Sequence, residues 1–476
     1  MMITISLNPD SKEPMYQQIY EYIKKEILSG RLSHPDKLPS ARSLASFLQV
    51  SRSTVDTAYD QLTAEGYVEP KEKRGYFVNP MTHIQNFTPV SLRPAPAPSH
   101  TDSSLSLEKK DGGVCYDFNP DSIDTTHFPY SVWKSIGKNE LDNSDNFLSG
   151  SHFGEAALRE SIAAYLHGSR GVQCSPEQII VGAGLDHLLQ MLCVLFQRDK
   201  IVAMEDPGYR SARKVLLASG YTVRDIPLEN GTWNPSSLQD SDADICYVTP
   251  THQFPLGTVM PVPVRQALLT WAMQKSGRYI IEDDHDSEFR YVGRPIPALQ
   301  SLDTGGKVIY IGTFSKAISP ALRVGYMVLP PALLAQYKEI CGSFSCPVSR
   351  INQAILTTFI RDGYFEKHLN RMRKHYKGKH DFMVSCIQEY FPEDTFCISG
   401  DNAGLYILLH YYGKEPAENI EKRAEKNAIK MYSLKKYYAN LPAGFHPTYL
   451  LGFANIPEEH IRTGLRLLAK EVFLLP

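Results

Sequence analysis

The chain has no Cys-x-x-Cys pair, and its eight cysteines, at 115, 174, 193, 246, 341, 346, 386 and 397, follow no regular spacing. This excludes the ligand pattern of a structural zinc site and a disulfide framework, and predicts reduced thiols in a cytoplasmic protein without a metal centre. Met1-Met2-Ile3-Thr4 begins no signal peptide, because no basic start is followed by an apolar stretch. No apolar run is long enough to cross a bilayer, so no membrane partner is expected. Internal repeats are absent. So is a charge excess, since a formal net charge of −2 gives no overall pull toward nucleic acid or membrane. What is present is length: 476 residues of ordinary hydrophobic content are enough for two or more domains with a large core.

The first eighty residues read as helices and a hairpin. Tyr16, Ile19, Tyr20, Ile23 and Ile27 recur on one helical face, and Gly30 ends that helix. Ser40 is placed to cap a short helix carrying Leu44, Ala45 and Leu48. Ser51 is placed to cap a third, with Val55, Ala58, Tyr59 and Leu62 inward. Two helices across a short turn make a helix-turn-helix, whose second helix presents its first residues to base edges. Arg52 suits bidentate pairing with guanine, and Ser53 and Thr54 suit bases or phosphates. Tyr67-Val68-Glu69 and Tyr76-Phe77-Val78 flank a basic tip, Lys71-Glu72-Lys73-Arg74-Gly75, suited to phosphate or the minor groove. Charge alone leaves a plain helical bundle open, since residues 1–79 hold ten Lys/Arg and ten Asp/Glu.

The strings Leu38-Pro39-Ser40-Ala41-Arg42-Ser43-Leu44-Ala45, Val50-Ser51-Arg52-Ser53-Thr54-Val55 and Gly75-Tyr76-Phe77-Val78 resemble the GntR-type winged helix-turn-helix. The resemblance implies binding to double-stranded DNA with repeated half-sites. The candidate contacts are Ser40, Arg42, Ser51, Arg52, Ser53 and Thr54 on the helices, and Lys73, Arg74 and Gly75 on the wing. The domain is expected over 1–79. Residues 80–114, with Pro89, Pro94, Pro96 and Pro98 among small and polar residues, read as a flexible linker.

From residue 115 onward strands alternate with helices, as in an α/β domain on a mostly parallel sheet. The apolar run Val308-Ile309-Tyr310-Ile311 reads as a buried strand ending at Gly312-Thr313-Phe314-Ser315-Lys316. A lysine in a partly dry pocket has a lowered pKa and forms a Schiff base with an aldehyde. Thr313, Ser315 and Arg323 are donors that would hold a phosphate beside it. The whole string to Tyr326 resembles the pyridoxal-phosphate (PLP) lysine motif of fold-type I aminotransferases, which implies a large domain and a small domain, the latter from about 340 to 476.

The remaining site residues follow from that resemblance. At the turn Gly182-Ala183-Gly184-Leu185-Asp186, backbone N–H groups at Ala183, Gly184 and Leu185 would meet the phosphate. Tyr209 resembles the aromatic that stacks on the pyridine ring. Asp283 matches the carboxylate that keeps the pyridine nitrogen protonated, and His285 stands where relatives carry tyrosine. The asparagine that bonds the cofactor phenol is not plainly present; His252, Gln253 and Phe254 compete for its place. Residues 367–379, rich in Lys, Arg and His, read as a solvated helix face.

A GntR head on an aminotransferase-like body resembles the MocR/GabR subfamily of bacterial regulators, which implies a head-to-tail homodimer. Two carboxylate clamps of the amino-acid-responsive relatives are replaced here, by His446 and Ser211; Arg210, Arg290 or Arg294 remain as relocated clamps. These departures point to a body that senses PLP itself, as in relatives controlling vitamin B6 synthesis, and not to a working enzyme, although residual half-transamination stays open. The alternatives are a regulator responding to an amino acid or amine, an aminotransferase with an accessory head, and a body serving only as a dimerisation platform.

Overall fold

The computed structural model describes residues 5–475 except 6, 9–10, 12, 72–73, 81–115, 197 and 292–294. The chain forms two compact units, Met1–Glu108 and Lys109–Pro476. Beyond Pro80, the segment expected to be the linker lies outside the described residues, as do Lys73, Arg294 and Cys115. The other seven cysteines are free thiols.

The first unit packs α1 (Met15–Leu28), α2 (Ala41–Leu48) and α3 (Arg52–Ala64) around one core. Ile19, Ile23, Val55, Ala58, Tyr59 and Leu62 are fully buried there, whereas Tyr16, the second residue of the helix, is 38% exposed. Both predicted caps form: Ser40 Oγ accepts from Ser43 N at 3.1 Å and Ser51 Oγ from Thr54 N at 3.2 Å. Each satisfies an N–H group that the first helical turn leaves without a partner. Antiparallel strands β1 (Val68–Lys71) and β2 (Gly75–Val78) form the wing, with Glu69 opposite Phe77.

The second unit opens with β3 (Tyr116–Asp117), then α4 (Tyr130–Leu141) and α5 (Ala156–Arg170). Its main sheet comprises β4 (Ile179–Gly182), β5 (Ile201–Asp206), β6 (Thr222–Glu229), β7 (Thr232–Trp233), β8 (Ile245–Val248), β9 (Tyr279–Asp284), β10 (Val308–Thr313) and β11 (Gly325–Val328). The strand order is β4-β11-β10-β9-β8-β5-β6-β7. Strands β10, β9, β8, β5 and β6 run parallel, and β11 is antiparallel to both its neighbours. Helices cover both faces, as near-continuous apolar strands require. The helix α6 (Leu185–Leu195) starts two residues before the predicted His187. After the helices Pro331–Cys341, Arg350–Arg361 and Tyr364–Tyr390, a second sheet pairs β12 (Phe396–Ser399), β13 (Tyr406–Tyr411), β15 (Tyr432–Ser433) and β16 (Thr448–Gly452) in the order β12-β13-β16-β15. A short parallel pair, β14 (Ile429–Lys430) with β3, joins this region to the start of the unit. The small-domain core therefore includes Phe118, far from the predicted start near 340.

The basic stretch 367–379 corrects its sequence reading. His368 and Lys379 are buried, and His375 Nε2 and Lys379 Nζ lie 2.8 and 3.5 Å from the buried Asp124 Oδ2. The helix turns part of its charge inward to hold the segment that carries Asp124.

Pleating sorts the acidic run at the end of β9. Glu282 and Asp284 point to one face and Asp283 to the other. On the first face, Glu282 accepts from the N–H groups of Leu299 and Gln300 at 2.7 and 2.8 Å. Asp284 meets Arg170 at 2.8 and 3.2 Å, Thr251 Oγ1 at 2.9 Å and the Tyr310 hydroxyl at 2.5 Å. Burial works against the Asp284 charge, but Arg170 and these donors hold its carboxyl below the usual range. Removing one partner of such a pair leaves an uncompensated buried charge. Arg170→Met should therefore destabilise the protein by about 3–5 kcal/mol in urea unfolding, and an unchanged midpoint would show that the pair contributes nothing.

Candidate functional site

In the first unit the helix-turn-helix residues gather at the start of α3. Arg52 is exposed and lies 3.3 Å from Asp56 Oδ2, one turn on. Ser51 Oγ lies 2.8 Å from both Ser53 Oγ and Thr54 Oγ1. These three hydroxyls form a capping knot, so the predicted base-contacting serine and threonine first serve the helix. Arg42, on α2, is exposed and has no ion-pair partner among the described residues. On the wing, Gly75 has φ +96°, a conformation L side chains rarely adopt, which is why glycine stands there. Lys71, Arg74 and Lys37 gather over the Phe77 ring at 5.1, 5.9 and 5.9 Å. Lys37 is a wing cation that sequence reasoning missed, because it arrives from before α2 through a bridge to Phe77.

In the second unit a cleft of about 140 Å³ opens beyond the carboxyl ends of the parallel strands, where ligands of open α/β sheets bind. Tyr209 follows β5, Thr249 and Phe254 follow β8, Asp283 and His285 end β9, Thr313, Ser315 and Lys316 end β10, and Arg323 precedes β11; all line the cleft, with Leu185, Asp186 and Asp121. Lys316 Nζ lies 3.2 Å from both Asp121 Oδ1 and the Pro120 carbonyl. Arg323, in a left-handed conformation at φ +50°, donates from Nη2 to the Ala183 carbonyl at 3.2 Å. It covers Gly184, where a Cβ would come within 2.8 Å of the guanidinium. The hydroxyls of Thr313 and Ser315 have no hydrogen-bond partner among the described residues, so the donors predicted for a phosphate stand available at one end.

Asp283 also lines the cleft. Its Oδ2 accepts a short hydrogen bond from the Tyr247 hydroxyl, while Oδ1 is buried without a partner. Burial pushes its carboxyl up to about 6, against the opposing influence of His285 and Tyr247. His285 lies above it. Burial alone would lower the imidazole, but Asp286 and Asp283 outweigh that and raise it to about 9. Its Nε2 is 3.2 Å from Asp286 Oδ1, an ion pair without hydrogen-bond alignment. Asp286 also binds His252 Nδ1 at 2.8 Å, and the His252 and His285 rings stack at 5.8 Å.

The three residues competing for the missing asparagine separate. Phe254 lines the cleft, and His252 sits in the layer behind His285. Gln253 is turned away, with Nε2 donating to the Pro207 and Phe254 carbonyls at 3.0 and 2.7 Å. His446 is exposed, its ring 5.0 Å from Tyr412, and does not line the cleft. Arg210 lines a neighbouring groove with Lys214 and Lys436, and Arg290 is half-buried beside Ala403. Tyr247, Asp286 and Asp121 are site residues that sequence reasoning missed. Tyr247 lies on β8, which is buried along its whole length, so no alternation marked it, and the other two carried no signal at their spacing.

Residues 15–78 match the family of bacterial regulatory proteins, gntR family, and residues 121–460 match aminotransferase class I and II. The chain is 39% identical to the uncharacterized HTH-type transcriptional regulator YdeL of Bacillus subtilis, over 98% of this chain and 99% of that one. It is 29% identical to the HTH-type pyridoxine biosynthesis transcriptional regulator PdxR of Corynebacterium glutamicum, over 99% of each. In fold it is similar to a kynurenine aminotransferase of Pyrococcus horikoshii, with a TM-score of 0.68 at 24% identity, over 76% of this chain and 91% of that one.

The residues fit a pyridoxal phosphate. The orphaned Asp283 Oδ1 can accept from an N–H donor, the Gly184 cradle is too tight for a side chain, and the unpaired Thr313 and Ser315 hydroxyls share the cleft with Arg323. Asp283 holds its proton more firmly in the folded chain than in the unfolded one, where its pKa is about 3.9. Its contribution to stability is thus greatest at low pH and falls as pH rises through about 6. In protein freed of pyridoxal phosphate, Asp283→Asn should raise stability at neutral pH by about 1–3 kcal/mol, with the gain vanishing near pH 4. Urea midpoints across that range test this, and a pH-independent difference would contradict it.

Proposed function

Because the chain belongs to the MocR/GabR subfamily of GntR-headed regulators with an aminotransferase class I and II body, we propose that it controls transcription through pyridoxal phosphate held on Lys316. The observation that carries this reading is the orphaned Asp283 oxygen, in one cleft with Lys316 and the Arg323–Gly184 cradle, in a chain that also carries a winged helix-turn-helix. Lys316 is the covalent anchor. Thr313, Ser315, Arg323 and the backbone at Ala183, Gly184 and Leu185 hold the phosphate. Tyr209 would pack on the ring, Asp283 would accept from the ring nitrogen, and His285, backed by Asp286 and His252, would meet the phenol oxygen. When bound, the cofactor supplies a reactive aldehyde carbon and an electron-withdrawing ring.

Sensing, not turnover, is the role this site supports. Aminotransferases clamp the substrate carboxylate with arginine, whereas here His446 is exposed away from the cleft and Ser211 is exposed. Cofactor occupancy and DNA occupancy must then influence each other reciprocally, because a ligand shifts an equilibrium only by its differential affinity for two states. A cytoplasmic head-to-tail homodimer reading repeated half-sites would give that equilibrium its two arrangements. The regulated genes are those of vitamin B6 supply, a reading supported by the likeness to PdxR.

Two outcomes test it. Titrating pyridoxal phosphate into stripped protein should produce a visible absorption band and change affinity for the DNA upstream of the protein's own gene. Lys316→Ala should lose both, and a variant that kept the DNA response would refute the role of the lysine. Arg52→Ala should weaken specific DNA binding by about 1–3 kcal/mol and relax preference at one base position, measured by titration against single-base operator variants.

A further inference from the structure

The cofactor-binding reading leaves Asp121, Asp186, Thr249 and Phe254 of the cleft lining unassigned, and the charge of that part is the reverse of what an amino acid needs. Asp121 projects into it. The carboxylate lies 3.2 Å from Lys316 Nζ and is mostly exposed. It shares the cleft with Tyr209 and Phe254. Burial first, and then the Asp121 charge, raise the hydroxyls of Tyr209 and Tyr437. The wall beside it is aromatic. Phe254 meets Tyr437, Tyr209 and Tyr406 edge-on at 5.3, 5.4 and 5.9 Å. Leu408, Leu434 and Leu450 continue that wall. The Tyr406 hydroxyl is buried within it and has no partner.

The cations lining the cleft are already committed. Arg323 serves the Ala183–Gly184 end, His285 pairs with Asp286, and Lys316 pairs with Asp121. Once Lys316 is engaged by the cofactor, its free ammonium would no longer serve as the counter-charge of Asp121. An incoming ammonium group restores it and lies among rings that favour a cation. A carboxylate on the neighbouring carbon would face Asp121 with no uncommitted lining cation to offset the repulsion.

We propose that this part of the cleft admits primary amines with an apolar or aromatic body and no carboxylate beside the amino group, and that Asp121 is the residue that rejects amino acids. The proposal rests on Lys316 holding the cofactor. Calorimetry on the full-length, pyridoxal-phosphate-loaded protein tests it with two matched pairs: 2-phenylethylamine against L-phenylalanine, and butylamine against L-norvaline. Each pair differs by the carboxylate alone. The amine of at least one pair should bind at least about tenfold more tightly. Asp121→Asn, checked for loading by its visible band, should bring the two members within about threefold. Equal or tighter binding of the amino acids would overturn the proposal, as would an unchanged ratio in Asp121→Asn, or no heat from either pair. The cofactor reading would survive those results if the visible band and its effect on DNA affinity persisted, and would itself fail if the wild-type protein formed no band.

Discussion

The second unit is organised around a carboxylate buried where it is only half satisfied. Asp283 has one oxygen on Tyr247 and one with no partner, at the end of a central parallel strand. Burying a charge without full compensation opposes folding, and the raised carboxyl expresses that conflict. The surrounding structure sustains it: Glu282 and Asp284, on the opposite face of the same strand, are fully bonded. One strand thus carries a structural anchor on one face and a functional group on the other. An acceptor kept open at this position is suited to a ligand that brings the missing donor.

The two ends of the cleft divide the chemistry. At one end, donors and a glycine cradle under Arg323 make a place for an anion. At the other, Asp121 and a wall of tyrosines and Phe254 make a place that repels one. This polarity follows from topology. The anion end lies where β4 turns into α6 and β10 meets β11, so backbone N–H groups are available. The opposite end borrows from the small-domain sheet and from the segment around residue 121, which is tied down through Asp124 to His375 and Lys379 on the helix Tyr364–Tyr390. The carboxylate beside Lys316 is therefore held by contacts distant from it in sequence.

In the first unit the same economy appears in smaller form. The hydroxyls that begin α3 satisfy the helix start and one another, which leaves the exposed Arg42, and Arg52 with its surface pair to Asp56, as the extended groups able to reach a partner. The wing gathers three cations over one phenylalanine ring, so its charge is concentrated although the unit as a whole is balanced.

What was legible in the sequence is what depends on neighbours along the chain. Helical periodicity placed Ile19, Ile23, Val55 and Leu62 in the core, serines marked the two caps, and the string from Gly312 to Tyr326 placed Lys316 and Arg323 at a strand end. These readings succeed because capping, periodicity and strand-to-loop transitions act over a few residues. Other features depend on contacts between distant segments. Asp121 reaches Lys316 across 195 positions, and His375 reaches Asp124 across 251. Lys37 joins the wing through a bridge. Which of Glu282, Asp283 and Asp284 faces the cleft was assigned by spacing, but only the pleat and the partners on each face set the Asp284 carboxyl, held low by Arg170, apart from the raised Asp283. The exposed position of His446 and the inward turn of a seemingly solvated basic helix were likewise decided by packing, because the spacing of residues along a chain does not say what the fold will bring against them.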